Sequence, residues 1–299
     1  MSAPRLPATT RSRTSELSAN DGEVRDPVFP SGKGCRALPL PPVRQLPGKL
    51  RVRAYALSAT GRRLTNEDAF VCVVDPPSPE WVQGLLIVAD GIGGRQNGQI
   101  ASSVAVRAAR EAVLGAEGFF SPERARDALL EAFRRADHEV YEVSRTDPLL
   151  DGMGTTLTVA LLAQRRLFVA SLGDSRAYLH RGRRLVQLTD DDWMRTSAEA
   201  LPPGGDGVPD QDLTVVTRAV GWGDDELAPR TIQIEVGAED LILVCTDGLW
   251  DGLSERQIEE ALHRHGKHPD VCVRRVVQMA AARPDADNVT AIVARLEQA

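Results

Sequence analysis

Leu85-Leu86-Ile87-Val88-Ala89-Asp90-Gly91-Ile92-Gly93-Gly94 is the stretch on which the reading of this chain turns. An apolar run of five residues that includes the β-branched Ile87 and Val88 is too short for a helix core and suits a buried strand. Asp90-Gly91 ends it. Asp-Gly is a common turn pair, so Asp90 is placed at the mouth of a strand. Gly91, Gly93, Gly94 and Gly98 then allow a tight turn into the next element and a close approach of backbone to an ion or phosphate.

The same texture recurs from Tyr55 onward. Ala69–Val74, Thr155–Leu162, Leu167–Leu172, Ala177–His180, Thr231–Val236, Leu241–Thr246 and Val289–Leu296 read as strands. The links Gln164–Arg166 and Arg181–Arg184 are short enough for hairpins. Helices are fewer. Ala101, Val104, Ala105, Ala108, Ala109 and Val113 share one face, and Ser121-Pro122 starts a second helix through Leu129, Ala132, Phe133, Ala136 and Val140. Ser254 and Gln257 form a capping box before Ile258, and a last helix follows Pro269. Strands, a helix pair, more strands, a second helix pair and a final strand predict an α+β layered domain.

Charge divides the 299 residues unevenly. The net charge is −6, yet residues 1–53 carry ten basic and four acidic residues, leaving 26 basic and 38 acidic for residues 54–299. Residues 1–50 hold eight of the 19 prolines and one aromatic, Phe29. Residues 1–53 are therefore read as a disordered basic tail and residues 54–299 as the folded domain. Residues 190–226 fit neither period and hold ten acids against Arg195 and Arg218. A connection of that length is functional or mobile.

The acidic domain is a poor candidate for nucleic acid, and no apolar run reaches membrane-span length. Four scattered cysteines, Cys35, Cys72, Cys245 and Cys272, form no CxxC pair, and a cytoplasmic, reducing setting is expected.

Several carboxylates share the strand-end context of Asp90. Asn66-Glu67-Asp68 precedes a strand, Asp247-Gly248 follows Leu241–Thr246, Asp287-Asn288 opens the last strand, and Asp174 joins two strands. Singly, each is a turn residue. Converging, they would repel strongly without a cation. Oxygen donors without His or Cys suit Mg²⁺ or Mn²⁺, and two such ions activate a water and neutralise phosphate oxygens. Arg63, four residues before Glu67, could grip phosphate bidentately. Arg176 could pair with a neighbouring acid or touch substrate. Thr155 and Thr156 read as buried strand hydroxyls, Trp250 as core packing, and His263, His265 and His268 as a solvated helix end. No P-loop, no HExxH and no Cys with an Arg six residues later is present.

In order and spacing, Arg63-Leu64-Thr65-Asn66-Glu67-Asp68, Ala89-Asp90-Gly91-Ile92-Gly93-Gly94, Gly154-Thr155-Thr156, Gly173-Asp174-Ser175-Arg176, Leu188-Thr189, Thr217-Arg218-Ala219-Val220-Gly221, Asp247-Gly248-Leu249-Trp250-Asp251 and Asp287-Asn288-Val289-Thr290 resemble the metal-dependent protein serine/threonine phosphatases of type 2C, bacterial-type. The resemblance covers residues 55–297. It implies a sandwich of two antiparallel sheets flanked by helix pairs, with a flap at about 190–226. It implies Asp90 bridging two Mn²⁺ or Mg²⁺ ions, with the Gly91 carbonyl, Glu67 and Asp68 on one and Asp247 and Asp287 on the other. Asp174 would serve a weaker third ion, and Arg63 the phosphate. Asp90, Asp247 and Arg63 thus carry the catalytic expectation. The implied substrate is a phosphorylated protein, a Ser/Thr kinase or its targets. The alternative from another class is an inactive phosphatase-like binding module. The chain departs from the family at Ile92, where a His is proposed as general acid in animal members, and at Asp190-Asp191-Asp192-Trp193, where an Asp-His pair is usual.

Overall fold

The structure, a computed structural model, describes residues 41–43, 49–76, 79–93, 97–196, 213–223 and 227–299. Two antiparallel sheets stack face to face with helices on both outer faces. The first sheet orders β1 (Leu50–Ala59), β13 (Val289–Gln298), β12 (Leu241–Cys245), β7 (Arg176–Arg181) and β8 (Arg184–Gln187). The second orders β11 (Arg230–Glu235), β6 (Arg166–Leu172), β5 (Leu157–Ala163), β3 (Gly84–Ile92) and β2 (Asp68–Val74), with β4 (Gly154–Thr155) extending β3. Helices α1 (Asn97–Leu114) and α2 (Pro122–Ser144) cover the second sheet, and α3 (Asp247–Gly252), α4 (Glu255–His265) and α5 (Pro269–Ala281) cover the first. This is the expected four-layer α-β-β-α sandwich.

Strand alternation builds three cores from single runs. On β3, Leu85, Ile87 and Ala89 face α1 and α2, while Leu86 and Val88 face the other sheet. On β12, Ile242 and Val244 enter that same inter-sheet core, while Leu241, Leu243 and Cys245 pack under α4 and α5. A strand buried on both faces needs no polar residue at period two, which is why these runs look continuously apolar.

The local signals act as expected. Ser121 caps α2 by accepting from the Arg124 N–H at 3.1 Å, with Pro122 at the first helical position. Ser254 and Gln257 close a reciprocal capping box on α4. Gln164 and Arg165 adopt φ of 41° and 66° in the β5–β6 hairpin, the left-handed pair that a two-residue turn requires.

One boundary differs from expectation. Strand β1 begins at Leu50, inside the stretch assigned to the tail, and pairs with β13 from Leu50↔Gln298 to Ala59↔Val289. Lys49, Arg51 and Arg53 disguise it, since the charges alternate with Leu50 and Val52, which enter the inter-sheet core. Residues 1–40 and 44–48 of the expected tail lie outside the described residues. The expected flap likewise includes 197–212 and 224–226, outside them. Its described part contains a two-stranded ribbon, β9 (Trp193–Thr196) with β10 (Leu213–Val216), paired from Trp193↔Val216 to Thr196↔Leu213.

Far from the site, Arg181 and Asp240 form a buried bidentate pair at 2.9 and 2.7 Å. Asp240 also accepts from the Gly237 N–H, and Arg181 donates to the Glu235 carbonyl. That satisfaction is what makes a buried ion pair tolerable.

Candidate active site

One end of the sandwich gathers the strand-end carboxylates. Asp68 and Asp90 are cross-strand partners at the start of β2 and the end of β3. In the other sheet, Cys245 at the end of β12 lies opposite Arg176 at the start of β7, so Asp247 and Asp174 leave at the same end. Ala59 pairs with Val289, which brings Arg63 beside Asp287. The two sheets thus deliver the predicted acids to one place.

Backbone and hydroxyl contacts hold them there. The Asp90 N–H donates to Thr156 Oγ1 at 2.9 Å, and its carbonyl accepts from the Thr155 hydroxyl and the Thr156 N–H. Thr155 and Thr156 are therefore the buried, hydrogen-bonded hydroxyls expected. A Cβ on Gly91 would come within 2.1 Å of the Gly98 carbonyl oxygen, and one on Gly98 within 2.5 Å of Glu67 Oε2. Only glycines let the start of α1 press this closely on the site. The Ser102 hydroxyl on α1 fixes the Glu67 carbonyl at 2.6 Å.

A polar chain that sequence reading did not assign supports Asp68. Thr246 Oγ1 donates to Asp68 Oδ2 at 2.9 Å and accepts from the Thr290 N–H at 3.1 Å. The Thr290 hydroxyl reaches Ser58 Oγ, which also accepts from Asn66 Nδ2. Asn288 clamps the entry loop, accepting from the Glu67 N–H and donating to the Thr60 and Thr65 carbonyls. Thr246 and Asn288 lie next to motif acids, and Thr290 follows Asp287 by three residues. Their positions were visible, but their hydrogen-bonding role needed the strand pairing.

Electrostatically the site is strained. Burial first, then Asp247 and Asp287, push the Asp68 carboxyl up to about 7 against the hydrogen bonds of Thr290 and Thr246. Burial and the Asp247 and Asp191 charges push Asp174 up to about 7. Burial and the neighbouring Asp247 and Asp68 drive Asp90 well upward, and burial raises Asp247 and Glu67. Carboxyls this close and this buried cannot all ionise unaided.

Asp68 Oδ1, Asp174 Oδ1 and Asp247 Oδ1 are buried acceptors that lack a hydrogen-bond donor. Unpartnered carboxylate oxygens are the kind of donor that hard divalent cations prefer. Among the described residues no three acidic, imidazole or thiol side chains form a ready-made metal cage. Arg63 meanwhile hydrogen-bonds one carboxylate oxygen of Asp287 through Nη2. That contact first, against partial burial, raises the Arg63 guanidinium further.

Two open alternatives are resolved. Arg176 grips Asp191 with Nε and Nη2 at 2.9 and 2.6 Å and stacks over the Trp250 ring at 3.6 Å. Its alternative as a residue facing acid is therefore the one realised. Trp250 packs partly against the core under α4 and α5 and also donates its indole N–H to the Asp174 carbonyl at 3.0 Å. His263 stands near His180, with ring centroids 6.2 Å apart, away from the carboxylates. Gly94 and Arg95 lie outside the described residues.

A double-sheet sandwich with clustered acids and an arginine at its mouth defines a phosphate-ester hydrolase in class. The sequence pattern of the family described as Protein phosphatase 2C matches residues 58–283, and the chain belongs to that family. It is 31% identical over 185 residues to the serine/threonine phosphatase stp of Listeria monocytogenes, covering 60% of this chain and 72% of that protein. It is 34% identical over 218 residues to the serine/threonine protein phosphatase PstP of Mycobacterium tuberculosis, covering 70% of this chain and 40% of that longer protein. Among solved structures, the catalytic domain of PstP in complex with two manganese ions superposes with a TM-score of 0.64 at 29% identity, covering 84% of this chain and 100% of that one. The protein is a type 2C serine/threonine protein phosphatase, as the sequence motifs implied.

Proposed function

We propose that this phosphatase hydrolyses phosphoserine and phosphothreonine in proteins with the help of bound Mn²⁺ or Mg²⁺, two ions at the core and a weaker third. The observation that carries the reading is the set of buried, donor-less Oδ1 atoms on Asp68, Asp174 and Asp247. Asp90, Asp68, Asp247, Asp287, Glu67 and the Gly91 carbonyl would hold the core ions, and Asp174 the third. Bound ions of this kind neutralise the carboxylates and supply a water of lowered pKa as nucleophile at neutral pH.

The chain's own residues do the rest. Arg63, exposed over most of its side chain, is free to swing from Asp287 to a phosphate oxygen and orient the ester bidentately. Thr246 keeps Asp68 aimed inward, and the Thr155 and Thr156 contacts fix Asp90. No side-chain acid is assigned, because the position two residues after Asp90 is the apolar Ile92.

The manganese in the related PstP structure supports the choice of ion. All six site carboxylates are present, which disfavours an inactive binding module. We further propose a Ser/Thr kinase or its targets as substrate, and a cytoplasmic setting in which Cys72, Cys245 and Cys272 stay free thiols.

Hydrolysis of p-nitrophenyl phosphate and of a phosphothreonine peptide, with Mn²⁺, with EDTA and in Asp247→Asn, tests this. Activity only with the divalent ion and lost in the variant is expected. Activity in EDTA, or full activity in Asp247→Asn, refutes it.

A further inference from the structure

The run Asp190-Asp191-Asp192, where the family usually has an Asp-His pair, is not a free acidic surface. Asp190 pairs with Arg230 Nη1 at 2.9 Å, Asp191 with Arg176, and Asp192 with Arg230 Nη2 at 3.1 Å and Arg218 Nη1 at 3.7 Å. Asp192 is the buried member, 5% exposed.

Its contacts reach two places at once. The Asp192 N–H donates to the Gly173 carbonyl at 2.9 Å, and the Gly173 N–H donates back to Asp192 Oδ2 at 3.3 Å. Gly173 directly precedes Asp174 and sits at φ +97°, where a Cβ would strike Thr156 Cγ2 at 2.7 Å. Asp192 also precedes β9, and its carbonyl accepts from the Thr217 N–H at 2.9 Å, just after β10. Arg218, next to Thr217, adds the charge contact. One residue therefore ties both legs of the β9–β10 ribbon to the peptide that carries Asp174.

We infer that Asp192 is a positioning residue that fixes the Asp174 loop and both legs of the ribbon as one unit. The physical case is that a buried carboxylate facing two guanidinium groups and a backbone N–H is over-determined in orientation. Asp174 has an unpartnered buried Oδ1, and beyond Trp250 on its carbonyl its backbone is steered through Gly173. Loosening Asp192 lets the donor oxygen wander while leaving Asp68, Asp90, Asp247 and Asp287 in place. This rests on the reading of Asp174 as a cation ligand.

The test uses the full chain and three variants, Asp192→Asn, Arg230→Gln and Asp174→Ala. Each is titrated with Mn²⁺ by calorimetry, assayed on p-nitrophenyl phosphate across Mn²⁺ concentrations, and followed by amide exchange over residues 172–176 and 215–220. Asp192→Asn should raise the Mn²⁺ concentration for half-activation several-fold and lower kcat. KM for the ester and the count of tightly bound Mn²⁺ should hold, and exchange should quicken in both segments together. Arg230→Gln, whose side chain is exposed and which leaves Arg218 facing Asp192, should move the same quantities less. Unchanged half-activation in Asp192→Asn while Asp174→Ala shifts it overturns the inference alone. An inert Asp174→Ala removes the cation role of Asp174 and the inference with it. Loss of the tightly bound Mn²⁺ in Asp192→Asn also overturns it.

Discussion

Replacing Asp68 by Asn should stabilise the metal-free protein at neutral and alkaline pH. In the fold Asp68 is pushed up to about 7 from an ordinary 3.8, first by burial and then by Asp247 and Asp287. The folded state therefore binds a proton more tightly than the unfolded chain. Stability from this group is fully present below about pH 4 and drains away as pH rises through 7, the reverse of a salt-bridged carboxylate. A shift of about three units at 1.36 kcal/mol each gives about 4 kcal/mol. Asn keeps an acceptor for Thr246 Oγ1, carries no charge, and adds only a pH-independent penalty for its amide beside the orphaned Oδ1 position. Urea unfolding in EDTA should find Asp68→Asn gaining on wild type by up to about 4 kcal/mol between pH 4 and pH 8, offset by the constant amide penalty, with the gain lost at about 1.4 kcal/mol per unit as pH falls below 7. Saturating Mn²⁺ should invert the ranking, because the wild type alone keeps every proposed ligand of both ions and so gains more binding free energy in the folded state. A pH-independent difference between the two proteins would refute the placement of Asp68 in a charge-dense, buried cluster.

Three further outcomes are expected. Thr246→Val removes a hydrogen bond to the Asp68 carboxylate and strands the Thr290 N–H, so it should cost about 3 kcal/mol in chemical denaturation and weaken Mn²⁺ binding. Asp240→Asn leaves the buried Arg181 guanidinium without its counter-charge and should cost about 3–5 kcal/mol while sparing kcat, since the pair lies at the end remote from the carboxylates. Gly91→Ala puts a Cβ 2.1 Å from the Gly98 carbonyl oxygen, where neither backbone can yield, and should abolish activity and lower stability by about 3 kcal/mol or more, read by thermal unfolding.

Apolar runs and turn pairs carried the sheets because each buried strand needed both faces apolar, as at Leu85–Ala89. The helices were legible from Ser121-Pro122 and the Ser254–Gln257 box, whose chemistry is local. What escaped was non-local. Strand β1 exists because Leu50 and Val52 find a core supplied by β13, some 240 residues on, while its basic neighbours imitate a tail. The acids at 190–192 looked like a flap surface, because Arg176 and Arg230 come from other segments and Arg218 from the far leg of the same one. Asp68, Asp90, Asp174 and Asp247 were legible as a set, yet the hydroxyls of Thr246 and Thr290 acquire a role only once β12 and β13 lie side by side.

Those pairings also change what the domain's acidity means. Asp190, Asp191 and Asp192 each face an arginine, whereas Asp68, Asp174 and Asp247 at the sheet ends each keep a buried Oδ1 without a donor. The two kinds of charge respond differently to salt. At 1 M the Debye length is about 3 Å, short enough to quench exposed pairs, but buried charges are screened much less, and only an ion they coordinate directly neutralises them. KCl at 1 M should therefore leave the pH-dependent instability of the metal-free wild type at pH 8 in place, while millimolar Mn²⁺ removes it. Asp68→Asn should likewise ignore KCl beyond the common effect of ionic strength, and should gain less from Mn²⁺ than wild type, since Asp90, Asp247 and Asp287 remain to hold one ion but the other has lost a ligand. If KCl alone restored wild-type stability to the Asp68→Asn level, the repulsion would have to lie in exposed charge, and the buried Oδ1 atoms of Asp68, Asp174 and Asp247 would lose their claim to be a cation site.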